Sequence, residues 1–311
     1  MRKVIGLGET VFDIIFKNGQ PLHATPGGST YNSMISLGRA GIPAEFISET
    51  GDDKVGRQII DFLESNGVSG KHICIHKNQK SALSLAFLNE CNDAEYVFYK
   101  EHDKDRLDFQ TPEICPDDVI LFGSYYSINP IVRNQVKPFL EYAKHHGAIL
   151  YYDVNFRSSH KAEALELLPN IRENLELADI VRGSNEDFNV LYGLSCLDDV
   201  YHKEIQPFSD ILIYTKGAEP AELITSKGLY KKYPASPVQS VSTIGAGDSF
   251  NAGFVCGLIR EGITRNAIIH GLAESQWDKL FSYAQQFSTN VCQSLYNYID
   301  KDFINHMKYE K

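Results

Sequence analysis

The chain has 311 residues, 43% hydrophobic and 23% charged, which suits a soluble protein with a sizeable core and excludes a disordered one. Thirty Lys and Arg stand against forty Asp and Glu, a net charge of −10 that argues against non-specific nucleic-acid binding. The longest apolar runs, such as Ile211 to Tyr214, are strand-sized and too short to span a bilayer.

Met1-Arg2-Lys3-Val4 leads straight into a strand-like run and does not read as a signal peptide. Val4 to Glu9 reads as a buried strand interrupted by Gly6 and Gly8. Ser29 to Ala40 carries Met34, Ile35 and Leu37 at helical spacing and stops at Gly41. Glu45 to Ser48 is a short strand, and Val55 to Ser65 a helix ending at Asn66-Gly67. Ser81 to Leu88 and Tyr96 to Tyr99 are strand-like around an Asn92-Asp93 turn. After the strand Val119 to Phe122, Pro130 to His146 predicts a helix with Pro at its start and Gly147 past its end. Ile149 to Asp153 is a strand, Ala162 to Leu177 a helix, and Ile180-Val181 opens another strand. Ile211 to Thr215 is a strand before a Lys-Gly turn, and Leu223 to Thr225 pairs with Leu229 to Tyr233 through Lys227-Gly228. Helices follow from Asp248 and from about Arg265 to Gln286.

Strands alternating with helices imply an α/β fold with a mainly parallel sheet covered on both faces. The two strands between Ser81 and Tyr99 lack an intervening helix and predict a small projecting sheet, of the kind that acts as a lid. No repeat or linker divides the chain, so it reads as one domain over 1–311 with lid strands at about 14–25 and 81–104. Six scattered cysteines without a Cys-x-x-Cys pair read as reduced thiols of a cytoplasmic protein.

The segment Ser242-Thr243-Ile244-Gly245-Ala246-Gly247-Asp248 carries the chemistry. Small residues let the backbone approach a ligand, and the amides of Gly245, Ala246 and Gly247 precede a helix whose dipole favours an anion. A phosphoryl group gathering charge in transfer suits that place, with Asp248 beside it to accept a hydroxyl proton. The alternative is a tight turn with Asp248 as a plain helix cap. Neither a Walker A pattern nor a protein-kinase signature occurs.

Gly245-Ala246-Gly247-Asp248, with Phe250 two residues on, resembles the signature of the PfkB/ribokinase carbohydrate kinases. Further pieces agree in order: Pro26-Gly27-Gly28-Ser29-Thr30-Tyr31-Asn32, Gly51-Asp52-Asp53-Lys54-Val55-Gly56, Asp153-Val154-Asn155-Phe156-Arg157 and Thr215-Lys216-Gly217. The D-x-N-x-R form is most similar to the fructokinase and 2-keto-3-deoxygluconate kinase branch. The resemblance implies a ribokinase-like, Rossmann-like core with a β-sheet lid, and ATP- and Mg²⁺-dependent phosphorylation of a sugar, fructose first. It implies that Asp248 is the base and Gly245, Ala246 and Gly247 the anion hole. Asp13, Gly27, Gly28, Asn32 and Arg157 would bind sugar, and Thr215, Gly217 and Asn290 nucleotide. Arg182-Gly183-Ser184-Asn185-Glu186-Asp187 aligns with the family's K-x-N-x-x-E, which places Ser184 and Asp187 at the phosphates, Asp187 as an outer-shell magnesium residue, with Asn185 and Glu186 the candidates in a neighbouring register. Ser242 stands where the family commonly has an Asp that helps hold a monovalent cation, which speaks against strong potassium dependence. Pairing of lid sheets in the family suggests a homodimer.

Bland readings accompany several of these residues: a solvated turn acid for Asp13, a helix-surface residue for Asn32 and packing for Phe98 and Tyr99, while Glu101 to Arg106 reads as a solvated loop. His72, Cys74 and His76 share one face of a strand, a zinc pattern without a fourth ligand nearby. Ser242 and Ser184 also motivate a non-catalytic sugar- or nucleotide-binding relative. A Rossmann oxidoreductase is disfavoured, because Gly6-Leu7-Gly8 lacks the third glycine, Val11 standing in its place.

Overall fold

The computed structural model describes residues 1–88, 94–99 and 107–307. The chain opens with β1 (Val4–Leu7), followed by a hairpin of β2 (Val11–Lys17) and β3 (Gln20–Gly27). Asn18 and Gly19 both have positive φ, the geometry of a two-residue hairpin turn. Then come α1 (Ser29–Arg39), β4 (Ala44–Gly51), α2 (Lys54–Ser65), β5 (Val68–His76), β6 (Leu83–Leu88) and β7 (Ala94–Tyr99). The second part runs β8 (Val119–Gly123), α3 (Ser124–Ile128), α4 (Arg133–His145), β9 (Ile149–Asp153), α5 (Ala164–Leu177), β10 (Ile180–Ser184), α6 (Asn185–Tyr192) and α7 (Leu197–Val200). It ends with β11 (Ile211–Thr215), β12 (Ala221–Thr225), β13 (Tyr230–Tyr233), α8 (Ala246–Arg260), α9 (Arg265–His270), α10 (Glu274–Cys292) and the short α11 (Phe303–His306).

One sheet has the order β13-β12-β11-β10-β9-β8-β1-β4-β5, parallel from β11 to β5 and closed by the antiparallel β12 and β13. Its central strands are buried end to end and mostly apolar because helices cover both faces: all of Val119–Gly123, Ile149–Asp153 and Ile211–Thr215 is buried. Val119, Leu121 and Tyr151 point to a core shared with α1, α2, α8 and α10. Ile120, Phe122 and Tyr152 point to the opposite core, against α4 and α5. From β1 the chain builds outward through β4 and β5, then crosses back to β8 on the other side of β1. That reversal opens a crevice beyond the carboxyl ends of β1 and β8, where sheets of this kind bind ligands.

A second sheet, β3-β2-β6-β7, is mixed: β2 pairs antiparallel with β3 and parallel with β6, and β6 antiparallel with β7. Asn92-Asp93, Lys100 and the run Glu101 to Arg106, with the last part of the 81–104 range, lie outside the described residues.

Several element boundaries differ from expectation, and three of them have a local physical cause. The helix expected from Pro130 begins at Arg133, because the Asn129 side chain takes the Ile131 amide into a turn at 3.0 Å. The helix expected from Ala162 starts at Ala164, after a 3₁₀ turn over Ser158–Glu163. The helix expected over 265–286 is two, since Gly271 at φ +96° cannot continue a right-handed helix; α10 then runs on to Cys292.

Candidate active site

Asp248 enters α8 in its first turn, 8% exposed. Its Oδ1 accepts from the Ser29 hydroxyl at 2.8 Å and its Oδ2 from the Asn32 side-chain amide at 2.9 Å. Ser33 donates to the Asp248 backbone carbonyl at 2.8 Å, and Ser36 meets Ser249 at 3.4 Å. Positions 29, 32, 33 and 36 are one face of α1 at helical spacing, so a polar stripe on α1 seats the start of α8. Burial pushes the Asp248 carboxyl up to about 6, while Asn32, Ser29 and Arg157 draw it back and Asp153 adds to the rise.

Gly245 starts the helix with φ +79°. The first helical bond runs from the Ser249 amide to the Gly245 carbonyl at 2.9 Å, so the amides of Gly247 and Asp248 precede the ladder and face outward from the helix start. Ala246 departs from expectation: its amide donates to the Thr243 carbonyl at 3.2 Å, because the turn into α8 closes on it.

Asp13 lies on β2, in register with Thr25 of β3 and Ser84 of β6. Burial pushes its carboxyl up to about 6, Ser84 lowers it, and the charges of Asp248 and Glu9 raise it further. Its Oδ2 occupies the space a Gly27 Cβ would need, so Gly27 is glycine on account of Asp13. A Cβ added to Gly28, at φ +124°, would clash with the Glu9 carbonyl oxygen. The Glu9 carboxylate accepts from Ser124 at 2.8 Å. Asn32, besides holding Asp248, keeps a buried Oδ1 with no hydrogen-bond partner among the described residues. Asp13 and Asn32 are therefore buried, not the solvated turn acid and helix-surface residue of the bland readings. Arg157 follows β9, exposed, and acts electrostatically on both Asp248 and Asp187.

Ser184 and Asp187 serve each other. The Asp187 amide donates to Ser184 Oγ at 3.2 Å and the Ser184 amide to Asp187 Oδ2 at 2.7 Å, a capping box that starts α6. Burial and Asp153 push the Asp187 carboxyl up, against the pull of Arg182 and Arg157. Asn185 is half-buried and Glu186 exposed. Thr215 Oγ1 accepts from Arg182 at 2.7 Å, and Gly217, at φ +57°, borders open space. Asn290 is tied to the C-terminal loop, where its Oδ1 accepts the Asp300 amide at 2.9 Å. His72 and His76 pair with Glu45 and Glu49 at 3.2 and 3.0 Å, and among the described residues no three His, Cys, Asp or Glu side chains gather as a metal site. On β7, Phe98 is 48% and Tyr99 57% exposed.

Ser29, Asn251 and Arg182 belong to this cluster, although the sequence assigns none of them a role of its own. The signal for Ser29 is the polar stripe on an otherwise apolar helix. Asn251, a turn beyond Asp248, donates to Asp153 Oδ2 at 2.7 Å and carries no local signal.

The profile of the pfkB family carbohydrate kinases matches residues 1–294. Fructokinase-1 of Zea mays is 28% identical over 259 residues, 79% of this chain and 80% of its own length. The 5-dehydro-2-deoxygluconokinase of Geobacillus thermodenitrificans is 26% identical over 296 residues, 91% of this chain and 85% of that one. Among solved structures, a fructokinase with bound ATP from Xylella fastidiosa superposes with a TM-score of 0.83 over 99% of this chain and 98% of that chain, at 21% identity, a likeness of fold.

Proposed function

The chain belongs to the pfkB family of carbohydrate kinases, and on that premise we propose that this sugar kinase phosphorylates fructose from ATP. The observation that carries the reading is Asp248: a buried carboxylate with each oxygen held by a donor, at a helix start whose amides precede the hydrogen-bond ladder. The sugar hydroxyl attacks the γ-phosphorus in line, its proton passes to Asp248 Oδ, the new O–P bond forms and the bond to ADP breaks. The Gly245–Gly247 turn meets the charge that develops on the migrating group. Glu9, Asp13 and the free Asn32 Oδ1 offer acceptors to neighbouring hydroxyls, which suits a neutral polyol. Arg157 favours the second reading, a 2-keto-3-deoxygluconate-like acid whose carboxylate it would pair with.

Mg²⁺ bound with ATP would neutralise phosphate charge. It keeps waters and takes few protein ligands, and the buried Asp187 fits an outer-shell role rather than direct ligation. Ser242 accepts the Ile244 amide at 3.2 Å and adds no carboxylate for a monovalent cation. The proposal includes a cytoplasmic setting and pairing of two chains through the small sheet, which would also close over the sugar.

ADP release measured across a sugar panel with ATP and Mg²⁺ tests the activity. Fructose should be turned over fastest. A chain that binds sugar by thermal shift yet releases no ADP with any member would be the non-catalytic relative instead.

The rate should also depend on pH in a defined direction. Asp248 and Asp13 both sit at about 6 against an ordinary 3.8 and feel each other, so they titrate as a pair. The base must be ionised, so kcat/KM should rise with pH through about 6 and level off above 7. Stability should move the opposite way. The folded state keeps protons that the unfolded chain has released between about pH 4 and 6, so folding loses free energy as pH rises across that window. A flat kcat/KM from pH 5 to 8 would remove Asp248 from the role of base.

A further inference from the structure

Arg182 is 7% exposed in β10, beneath the turn that starts α8. Its Nη1 donates to Asp153 Oδ1 at 2.9 Å and its Nη2 to Thr215 Oγ1 at 2.7 Å. The guanidinium thus ties the carboxyl ends of β9 and β11 to its own strand. Asp153 is held from the other side by Asn251, which in turn accepts from the Tyr151 hydroxyl at 3.1 Å. The guanidinium lies directly under the α8 turn: a Cβ on Gly247 would lie 3.0 Å from Nη2 and 3.5 Å from Nη1. The guanidinium charge is delocalised over both Nη atoms, so positive charge lies directly behind Gly247.

Holding strand ends together does not require this arrangement. A buried ion pair is weak at stabilising a fold, and apolar side chains of similar volume do as well or better. Arg182 also keeps a buried Nε with no hydrogen-bond partner among the described residues, a cost an apolar side chain would avoid. Burial works against its charge, but Asp153 and Asp187 outweigh burial and keep the guanidinium protonated. What distinguishes an arginine here is a permanent positive charge at a fixed place, two-pronged and therefore oriented.

We propose that Arg182 is a positioning residue for phosphoryl transfer: clamped by Asp153 and Thr215, it fixes the Gly245–Gly247 turn from below and holds positive charge behind the amides that meet the migrating group. This rests on reading that turn as the phosphoryl site. Arg182 reaches the reaction through Gly247, so its effect belongs to the transition state more than to ground-state binding.

The test compares Arg182→Gln, Arg182→Lys and the double variant Asp153→Asn/Arg182→Gln in the full chain. The double variant removes both charges of the ion pair, so Asp153 is not left as an unpaired buried carboxylate. For Arg182→Gln, kcat should fall by about tenfold or more, with the KM for sugar within about twofold. Affinity for ADP with aluminium fluoride and sugar, a mimic of the migrating phosphoryl group, should fall by a similar factor while affinity for ADP alone holds. Arg182→Lys should recover part of kcat. The double variant should melt near the parent yet remain slow. A folded double variant with parental kcat overturns the proposal, and so does an equal loss of ADP and ADP–aluminium fluoride affinity. A parent chain that transfers no phosphoryl group to any sugar overturns the reading of the turn itself, a failure set apart by the unsubstituted protein.

Discussion

Asp248→Asn should fold normally and turn over about 10²–10⁴-fold more slowly, the range a positioned general base contributes. The local hydrogen bonds survive the change. Asn32 donates to one carboxylate oxygen and can donate equally to an amide oxygen. Ser29 faces the other, and its hydroxyl can rotate to accept from the new amide nitrogen. What disappears is the capacity to take a proton. Stability should move upward. A carboxyl raised from 3.8 to about 6 is less favourable as an anion inside than outside, by at most about 3 kcal/mol at neutral pH on 1.36 kcal/mol per unit. The variant should therefore melt at or above the parent at pH 7.5, and the difference should vanish by about pH 3, where both states of the parent are protonated. Circular dichroism melts beside ADP-release kinetics separate the two effects. Near-parental turnover would mean that the hydroxyl proton leaves by another route.

How far the sequence reaches can be traced residue by residue. Buried parallel strands are legible because they are unbroken apolar runs, as at Val119 and Ile211, and α8 is legible because small residues stand ahead of a long apolar helix. Asp248 could be picked out for the same local reason. Asn18-Gly19 is a strong hairpin signal, but the strands it joins were placed only as a range of lid residues. Ser29 lies between the two cases. α1 is buried around most of its circumference, so a row of Ser29, Asn32, Ser33 and Ser36 requires a polar partner, yet does not say which. Arg182 stands in the sequence as the first residue of the K-x-N-x-x-E-like segment, but its clamp is not legible there. Its partners Asp153 and Thr215 come from neighbouring strands, and only parallel register brings three carboxyl ends together. Likewise, Ser184 and Asp187 are three residues apart in a helix-start pattern, so the capping box was as legible there as the phosphate role the resemblance implies.

Gly245→Ala should lower kcat by about 10²-fold, the loss that follows when reacting groups are displaced by about 1 Å. Two causes add. Gly245 has φ +79°, a left-handed conformation that costs a residue with a Cβ about 1–2 kcal/mol. The added Cβ would also lie 2.6 Å from the Asn297 carbonyl oxygen and 2.7 Å from its Cα, backbone atoms that no side-chain rotation can clear. Asn297 cannot retreat easily. Next to it, the Tyr298 hydroxyl meets Thr25 at 2.9 Å, the Ile299 amide donates to Ser36, and Arg39 donates to the Ile299 carbonyl at 2.7 Å. The turn before α8 is then the part that yields, carrying Gly247 and Asp248 with it. Sugar affinity should change by less than about threefold, since Asp13 on β2, Gly27 on β3 and Glu9 in the β1–β2 loop lie outside this turn. Gly262→Ala separates strain from clash: it has φ +63° but open space around the new Cβ, so it should cost stability and leave kcat unchanged. If Gly245→Ala keeps a kcat within threefold of the parent while melting lower, the Asn297 contact only stabilises the fold, and the position of the turn does not govern transfer.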